Sequence, residues 1–558
     1  MRLKYPLSET GGNMKIISAI LVNILVFLAS ATGVSRYDAV MKETPGEVGR
    51  NPEPGVISVH DPSVFRADGS YYVYGSHLAA GKSQNLKDWQ LLCAGVCDSA
   101  DFIVPEGETL RSALKEPLAW TDALQLLRKT PENELQTAVW APSVIYNPVM
   151  KKYCCYACSS VWGTPHSVIW FATSDSPEGP FTYQKSLIYS GFNRRTNAGF
   201  IPKNQLHYLY TNVGDLIKQG VYTRSEIEKQ PWFKENGNYD ISYGRCPNAI
   251  DPTAFSDADG GLWLVYGSFS GGIYVMPLVE ETGLPDYGYM KKTKGYDIYF
   301  GKLIAKTNEE TEGSGEGPFI VYCPESRYYY FFLTYGGLGA TDRYQIREFR
   351  STAPDGDYLD AAGNKATDAK SSGLQILGNY KFSFDNVAYL SGGHSSCLID
   401  EDGSMYQVYH TRFNDGVGYF RTAVHPMAVT KNGWALMLPL EYDGESHING
   451  NSAIEITGSY EALVLPSEPL QTDIRYDWNN IEETVQKPSQ ITLAEDGSIM
   501  HEGKSAGSWS AEDGYLSINF EGVNYTGVLR TQAKDGKAVT VITACADSNA
   551  TLWAVADI

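Results

Sequence analysis

Basic residues are scarce in this sequence. Lys and Arg together number 45, against 65 Asp and Glu residues, and the formal net charge is −20 at pH 7. Binding to phosphate backbones or to anionic membrane surfaces requires Lys and Arg on the contact face. The composition therefore argues against nucleic acid and acidic membranes as partners, and it favours a neutral partner.

Long apolar runs are also missing, apart from one near the start. That run lies in MKIISAILVNILVFLASATG from Met14, and its length of about fifteen residues is below the roughly 20 that a membrane-spanning helix needs. A Lys before the run and the small residues Ala29-Ser30-Ala31 at its end are typical of a signal peptide. We therefore predict a signal peptide over residues 1–31 with Met14 as the true start, no membrane span, and secretion from the cytoplasm.

The nine Cys residues do not form two CxxC pairs, which a structural zinc site of the usual type needs. We interpret most of the Cys residues as small buried apolar side chains. Cys93 and Cys97 are a candidate pair that could close a small loop in an oxidising compartment.

Gly and Tyr are abundant, with 54 and 38 copies, while only 20% of the residues are charged. This mixture favours many short strands joined by tight turns. The chain of 558 residues is too long for one ordinary core, so we expect two domains.

One phrase recurs five times and reads each time as strand, turn, strand. A small or Pro-containing start, several apolar positions, a polar turn and an aromatic strand are typical of a hairpin. The copies are DPSVFRADGSYYVYGS from Asp61, APSVIYNPVMKKYCCYAC from Ala141, DPTAFSDADGGLWLVYGS from Asp251, GPFIVYCPESRYYYFFLT from Gly317 and HSSCLIDEDGSMYQVYHT from His394. Their spacing leaves room for two further strands in each unit, and four-stranded sheets repeated radially form a propeller. We therefore predict an all-β fold with a five-bladed β-propeller over residues 32–446.

Four chemically active residues fall at or just before the repeated strand start, namely Asp61, Asp251, Glu316 and His394. In a propeller these starts face the central axis, so residues distant in sequence meet in one funnel. A single acid at a strand start is often only a turn former. Three carboxylates and a His at equivalent positions favour a functional site instead.

Three carboxylates in one funnel suit the cleavage of a glycosidic bond by inversion. One carboxylate removes a proton from water, and a carboxylic acid across the sugar protonates the leaving oxygen. The acid must stay protonated near neutral pH, and a third carboxylate can raise its pKa. The residues alone do not say which Asp is the base.

Five motifs occur in a fixed order within residues 60–396: HDPSVF, WAPSV, NAIDPTAF, EGPFIV and the GH of GGHSS. Together they resemble glycoside hydrolase family 43. Its endo-α-1,5-L-arabinanase branch is favoured over its β-xylosidase branch by GSFSGGI, LGNYKFS and YHTRF. The resemblance implies that Asp61 is the general base, Glu316 the general acid, and Asp251 the residue that adjusts the pKa and orientation of the acid. As an inverting pair, Asp61 and Glu316 are expected about 6.5 to 9.5 Å apart.

The same resemblance implies a metal beside His394, usually calcium. Because calcium prefers about six to eight oxygen ligands and imidazole nitrogen is a softer donor, most of that shell would be water. The family usually has Asn after this His, whereas this chain has Ser395. A His that is hydrogen-bonded within the ring of strand starts is the alternative.

Further site residues are expected around the funnel. Trp140 is a candidate stacking surface for a furanose ring, with a purely structural core Trp as the alternative. Asn248, His410 and Arg412 match further family positions for substrate binding, and Arg412 could hold a carboxylate ionised. His166 could reach the cleft, but a lone loop His is more typical of an ordinary surface residue.

Two segments lie outside the repeat. Residues 98–138 show apolar residues at helical spacing with Pro117 interrupting, which predicts a helical pair on the rim. Residues 451–558 follow a polar linker and contain short strands with DG turns, which predict a small β-barrel or β-sandwich.

The sequence thus predicts a secreted, monomeric enzyme that cleaves α-1,5-L-arabinofuranosidic bonds in linear arabinan. The alternatives are an exo-arabinanase, an α-L-arabinofuranosidase or a β-xylosidase on the same scaffold, and, from another class, a propeller that binds carbohydrate without cutting it.

Overall fold

The computed structural model describes residues 54–94, 107–128, 137–161, 163–194, 206–242, 244–306, 315–339, 343–368, 371–414, 420–444, 456–466 and 484–557. The predicted signal peptide with its start at Met14, and Cys97 of the candidate disulfide, lie outside these residues. No helix in the described part of the chain is long and apolar enough to cross a membrane.

Five antiparallel sheets of consecutive strands form a five-bladed propeller. Blade 1 consists of β1 (Ser63–Ala67), β2 (Ser70–Gly75), β3 (Ala79–Ser83) and β4 (Trp89–Cys93); blade 2 of β5 (Thr137–Asn147), β6 (Lys152–Val161), β7 (Ser167–Ser174) and β8 (Thr182–Tyr189); blade 3 of β9 (Thr253–Ser256), β10 (Leu262–Gly267), β11 (Ile273–Val279), β12 (Leu284–Pro285) and β13 (Lys302–Ala305). Blade 4 consists of β14 (Gly315–Cys323), β15 (Tyr328–Tyr335), β16 (Gln345–Ser351) and β17 (Leu374–Gln375); blade 5 of β18 (Tyr389–Ile399), β19 (Met405–Phe413), β20 (Arg421–Val429) and β21 (Ala435–Met437). The predicted fold class is confirmed.

The recurring phrase is the inner hairpin of each blade. In blade 1, Ala67 pairs with Ser70, and the two residues between them, Asp68 and Gly69, have φ angles of 49° and 73°. Positive φ at both central residues matches the twist of a two-residue hairpin and explains the Asp-Gly pair.

A left-handed residue also lies at the repeated position of each blade, either within the inner strand or two residues before it. The φ angles are 53° at Asp61, 42° at Ala141, 52° at Asp251, 59° at Gly317 and 43° at His394. This conformation is uncommon and strained for residues other than Gly. The repeat therefore extends to the backbone, and the left-handed residue is Asp61, Asp251 or His394 itself in three copies and the neighbour of Glu316 in a fourth.

Contacts between blade 5 and blade 1 close the ring, since no described strand is shared between its two ends. The N–H of Val59 donates to Thr422 Oγ1 at 3.2 Å, and the N–H of Val64 donates to Ser396 Oγ at 3.0 Å. Asp61 lies between these two contacts in sequence, so this predicted site residue belongs to the seam where the ring closes.

Among the described residues, five α-helices lie in the connections between strands: α1 (Leu110–Ala113), α2 (Lys115–Arg128), α3 (Asn212–Lys218), α4 (Arg224–Glu228) and α5 (Tyr287–Lys292). The first two form the predicted helical pair, with Leu110, Leu114 and Leu118 buried. Pro117 does not interrupt α2, because it lies in the first turn, where a missing N–H costs no helical hydrogen bond.

Eight C-terminal strands form a closed barrel rather than a sandwich. They are β22 (Gly458–Leu465), β23 (Ser489–Leu493), β24 (Ser498–His501), β25 (Lys504–Glu512), β26 (Tyr515–Phe520), β27 (Val523–Lys534), β28 (Lys537–Cys545) and β29 (Thr551–Ala556). The predicted boundary between 446 and 451 falls within residues 445–455, which are not described.

The barrel packs on blades 4 and 5 through a shared core and buried hydrogen bonds. Asn549 donates to Asp360 Oδ2 at 3.0 Å and accepts from the N–H of Ala361 at 2.8 Å. The buried indole of Trp553 donates to the carbonyl oxygen of Met437 at 2.9 Å. The two domains therefore meet in an interface built like a protein interior.

Candidate active site

Residues from four blades meet where the inner strands begin. His394 Nδ1 is 3.1 Å from Asp61 Oδ1. The N–H of Gly317, next to Glu316, donates to Asp251 Oδ2 at 3.2 Å. The structure thus brings together the three carboxylates and the His that the repeat aligned.

Asp61 is buried in a cage of polar side chains. Its Oδ1 lies 3.1 Å from His394 Nδ1, 3.2 Å from His60 Nε2 and 3.4 Å from His410 Nδ1. Its Oδ2 accepts a hydrogen bond from the hydroxyl of Ser76. These contacts hold the carboxylate in one orientation.

The imidazole of His410 is neutral with its proton on Nε2. The backbone N–H of Asp61 donates to His410 Nδ1 at 3.1 Å, and an N–H can only donate, so Nδ1 is an acceptor. The contact of this nitrogen with Asp61 Oδ1 at 3.4 Å is then not a hydrogen bond. Burial lowers the pKa of His410, and it lowers the pKa of His60 further, which keeps both rings neutral.

Asp61 and His394 form the charged pair of the site. Burial on its own raises the pKa of Asp61, but the charge of His394 and the surrounding hydrogen bonds hold that pKa well below its usual range. Burial likewise disfavours charge on His394, yet Asp61 and Asp251 raise its pKa to about 9. At neutral pH the pair is therefore a carboxylate and an imidazolium.

Glu316 has the opposite protonation state. Burial, reinforced by the charge of Asp251, raises the pKa of Glu316 to about 8. The hydroxyl of Tyr344 donates to its Oε1 at 2.8 Å, and the hydroxyl of Ser268 donates to its Oε2 at 3.3 Å. Glu316 is thus an oriented carboxylic acid at neutral pH.

The pKa of Asp251 lies between those of Asp61 and Glu316. Burial raises the pKa of its carboxyl group to about 6, while the charge of His394 opposes the rise. At neutral pH Asp251 is mostly ionised, and its negative charge is what disfavours ionisation of Glu316.

A glycine after Glu316 is required by close packing. A Cβ at Gly317 would lie 2.8 Å from Cγ of His394, which is too short for a carbon contact. The His394 ring therefore lies directly against the backbone of the strand that carries Glu316.

The predicted substrate-binding residues lie around this cluster and differ in their burial and in their contacts. Trp140 packs partly on the core of blades 2 and 3 and keeps some exposure. Asn248 Oδ1 accepts from the hydroxyl of Ser167 at 2.7 Å. His410 is fully buried, so its contact is with Asp61 rather than at the surface.

Arg412 was expected to hold a carboxylate ionised. Its Nε donates to the carbonyl oxygen of Leu338 at 3.3 Å, and its guanidinium carbon lies 3.8 Å from the centre of the Phe420 ring. These contacts attach the arginine to two neighbouring loops of the funnel.

The expectation that His166 is a surface residue is wrong. Its side chain is buried, with its Nε2 2.7 Å from the carbonyl oxygen of Trp120 and its ring stacked on that indole at 4.2 Å. A polar side chain can be buried here because helix α2 covers the loop that carries it, which the local sequence does not show.

The residues around His394 give a limited donor set for a metal. They offer one imidazole and the Oδ1 of Asp61 within ion-pair distance, whereas calcium takes about six to eight oxygen ligands. The protein atoms would therefore supply only a small part of a calcium shell, and calcium stays a prediction.

Three functional contacts were missed from the sequence: Ser76 on Asp61, and Ser268 and Tyr344 on Glu316. A signal for the two serines existed, because each follows the Gly that ends the second strand of its repeat in the same letters, YGS. No comparable signal marks Tyr344, since its contact depends on how the loop between β15 and β16 folds.

The arrangement pairs an ionised carboxylate with a protonated one at the same funnel. A base and an acid with pKa values pushed to opposite sides of neutral pH are what acid–base cleavage of a glycosidic bond requires. The difference arises from the neighbours, since Asp61 adjoins a cation and Glu316 adjoins an anion.

Comparisons with known proteins agree with this geometry. The family model for glycosyl hydrolases family 43 matches residues 200–435, and one for a C-terminal lipocalin-like domain of that family matches residues 439–554. An extracellular endo-α-(1→5)-L-arabinanase of Thermotoga petrophila is 32% identical over 89% of this chain and 93% of its own. A second protein of that name, from Bacillus subtilis, is 30% identical over 87% of this chain and 90% of its own.

A solved structure shows the same two-domain fold. The crystal structure of endo-1,5-α-L-arabinanase from Thermotoga petrophila RKU-1 in complex with TRIS is 30% identical, with a TM-score of 0.70, and the match covers 91% of this chain and 100% of that one. Together with the carboxylate cluster, this likeness over nearly the whole length confirms the family resemblance, and the chain belongs to glycosyl hydrolase family 43.

Proposed function

We propose that this glycoside hydrolase cleaves internal α-1,5-L-arabinofuranosidic bonds of linear arabinan with inversion at the anomeric carbon. The observation that carries the proposal is the convergence of Asp61, Asp251 and Glu316 on one funnel, where His394 Nδ1 is 3.1 Å from Asp61 Oδ1 and the N–H of Gly317 donates to Asp251. The pKa values of Asp61 and Glu316, shifted in opposite directions, agree with it. The names of the relatives from Thermotoga petrophila and Bacillus subtilis support the substrate.

Asp61 acts as the general base. Its Oδ2 is oriented by Ser76 and its Oδ1 by the imidazolium of His394, so the carboxylate is held ionised for a water molecule that attacks the anomeric carbon. As the water loses its proton to Asp61, the new carbon–oxygen bond forms on the face opposite the leaving group.

Glu316 acts as the general acid. It donates its proton to the glycosidic oxygen as the bond to the anomeric carbon breaks, and the departing sugar leaves as an alcohol. Tyr344 and Ser268 hold the carboxyl group in place. Asp251 keeps the proton on Glu316 until the leaving oxygen needs it, because a second negative charge beside Asp251 is unfavourable.

When calcium is bound, it would supply positive charge beside the carboxylates, and His394 would be its protein ligand in the neutral form, with water completing the shell. Asp61 would remain the base and Glu316 the acid, with the ion adding to the positive charge that favours ionised Asp61.

Product analysis tests the proposal. Linear arabinan should give a ladder of oligosaccharides at early times, and ¹H NMR during the first turnovers should show the anomer opposite to the bond cleaved. A single small product from the outset would show exo action instead of endo action. Retention of the anomeric configuration would refute the inverting mechanism. A protein that does not cleave arabinan would be a carbohydrate-binding protein instead of an arabinanase.

We also propose that the protein acts outside the cytoplasm as a monomer. The relatives from Thermotoga petrophila and Bacillus subtilis are named extracellular. Cell fractionation of the native host and light scattering of the purified chain test the two statements, and a cytoplasmic or dimeric protein would contradict them.

A further inference from the structure

A second cavity lies beside blade 2 and shares no lining residue with the carboxylate cluster. It is open to solvent and is lined by α1, α2, the outer strand β8 and residues 210–215 at the beginning of α3, and its volume is about 590 Å³. This volume falls in the range of about 300 to 1,000 Å³ that is typical of small-ligand sites. The cavity is therefore large enough to hold part of a ligand, although the acid–base chemistry makes no use of it.

Aromatic side chains form much of the cavity wall: Trp120, Tyr183, Tyr189 and Tyr210. Trp120 and Tyr189 are buried, whereas Tyr210 is 60% exposed. An exposed Tyr is an amphipathic surface, and the C–H faces of a sugar ring pack well on it. Aromatic walls with one exposed ring suit a carbohydrate better than a purely apolar ligand.

The polar groups of the cavity match hydroxyl groups. Glu116 is oriented by the hydroxyl of Tyr189, which donates to its Oε1 at 2.9 Å. Two carboxylates, Glu116 and Asp215, outnumber the single Lys115 in the wall, so the cavity disfavours anions and favours a neutral polyhydroxylated ligand.

The cavity is joined to the candidate active site through a chain of direct contacts. The carbonyl oxygen of Trp120 is 2.7 Å from His166 Nε2, and the two rings stack. The next residue, Ser167, donates to Asn248 Oδ1 at 2.7 Å, and Asn248 lies three residues before Asp251. The position of the cavity wall relative to the funnel is therefore fixed by these contacts.

We propose that this cavity is an accessory carbohydrate site, which binds a stretch of furanose units of the polysaccharide away from the bond that is cut. The chemical identity of the sugar rests on the proposed function. Long chains then reach both the funnel and the cavity, whereas short oligosaccharides occupy the funnel alone, so the cavity raises the affinity for polymer only.

The test is a Tyr210→Ala variant with Tyr146→Ala as the matched control. Tyr146 is 47% exposed on blade 2 and is not part of the cavity wall, and neither Tyr belongs to the catalytic cluster. Tyr210→Ala should raise the KM for linear arabinan about threefold to tenfold. It should leave kcat/KM for arabinotriose within about twofold, and Tyr146→Ala should change neither value.

Binding without cleavage gives a second measurement. In the Glu316→Gln background, linear arabinan in a native gel should retard the protein, and Tyr210→Ala should remove much of that retardation while Tyr146→Ala keeps it. Unchanged retardation and an unchanged KM, or equal losses on polymer and on arabinotriose, would overturn the accessory site. If the wild-type protein does not cut arabinan but is retarded by it, and Tyr210→Ala removes the retardation, the proposed function is refuted and the accessory site is supported.

Discussion

His394 and Asp61 are an ion pair that closes the propeller, with Nδ1 of the imidazole 3.1 Å from Oδ1 of the carboxylate. The first residue lies on the inner strand of blade 5 and the second at the start of blade 1. The carboxylate that we propose as the general base thus lies in the seam of the ring. Proper closure of the ring is a condition for an ionised base.

Replacement of the acid tests the central assignment. Glu316→Gln keeps the shape of the side chain and its contacts with Tyr344 and Ser268 but carries no transferable proton. We expect kcat on linear arabinan to fall about 10²- to 10⁴-fold, with KM changed little. Glu281→Gln, at an exposed turn of blade 3, should behave as wild type. Full activity in Glu316→Gln would exclude Glu316 as the acid.

The pH dependence should be set by Glu316 on the basic side. Its pKa is raised to about 8, so the acid form is present below that pH and is lost as the pH rises through 8. The pKa of Asp61 is depressed, so the base stays ionised well into the acidic range. We expect kcat to fall as the pH rises above about 8 and to persist on the acidic side. A kcat that already falls as the pH rises from about 5 would contradict the assignment.

Asp251→Asn should shift that basic limb to lower pH. The negative charge of Asp251 raises the pKa of Glu316, and the amide that replaces it can still accept from the N–H of Gly317. The pH profile of kcat is the measurement, with Asp259→Asn at an exposed turn as the control. An unshifted basic limb would show that Asp251 does not act through the acid.

Tyr344→Phe removes the hydroxyl group that donates to Glu316 Oε1. That hydrogen bond favours the ionised form of Glu316 and lowers its pKa, so its loss should move the basic limb to higher pH. Poorer orientation of the acid should also lower kcat about twofold to tenfold. Tyr322→Phe, at the hairpin end of the inner strand β14 and away from Glu316, serves as the comparison. A lower kcat with no shift of the limb would mean that Tyr344 only supports the fold.

Calcium at His394 is tested by chelation and metal analysis. A cation beside Asp61 stabilises the ionised form of this base, so dialysis against EGTA should lower kcat, and added calcium should restore it. Mass spectrometry of the metal content should find about one calcium per chain in the wild type and in His501→Gln, but not in His394→Gln. Activity that resists chelation in a protein without calcium would leave His394 as an ion-pair partner alone.

Asn549→Ala tests the interface between barrel and propeller. The side chain is buried and hydrogen-bonds with Asp360 and Ala361 across the interface. Removal of one buried partner leaves the others unsatisfied, and the free energy of unfolding should fall by about 1 to 3 kcal/mol. Urea titration followed by Trp fluorescence measures this, with the exposed Asn524→Ala as the control. A separate early transition would show that the barrel unfolds independently.

Much of the site was predictable because it lies in the repeat. Asp61, Asp251, Glu316 and His394 were aligned by five copies of one phrase, and a propeller places equivalent positions at one axis. The protonation states were not predictable in the same way. Asp61 and Asp251 have the same side chain and nearly the same local sequence, yet the pKa of the first is depressed by its contact with His394 and that of the second is raised by burial.

The sequence by itself determined the blade count, the hairpins and the identity of the carboxylates, because strand alternation and turn residues are local properties that recur with the repeat. Only the tertiary structure decided which groups face each carboxylate, how helix α2 covers His166, and how the barrel docks through Asn549. The physical reason is that pKa values, buried hydrogen bonds and cavities depend on distances between segments remote in sequence, and those distances exist only once the ring has closed.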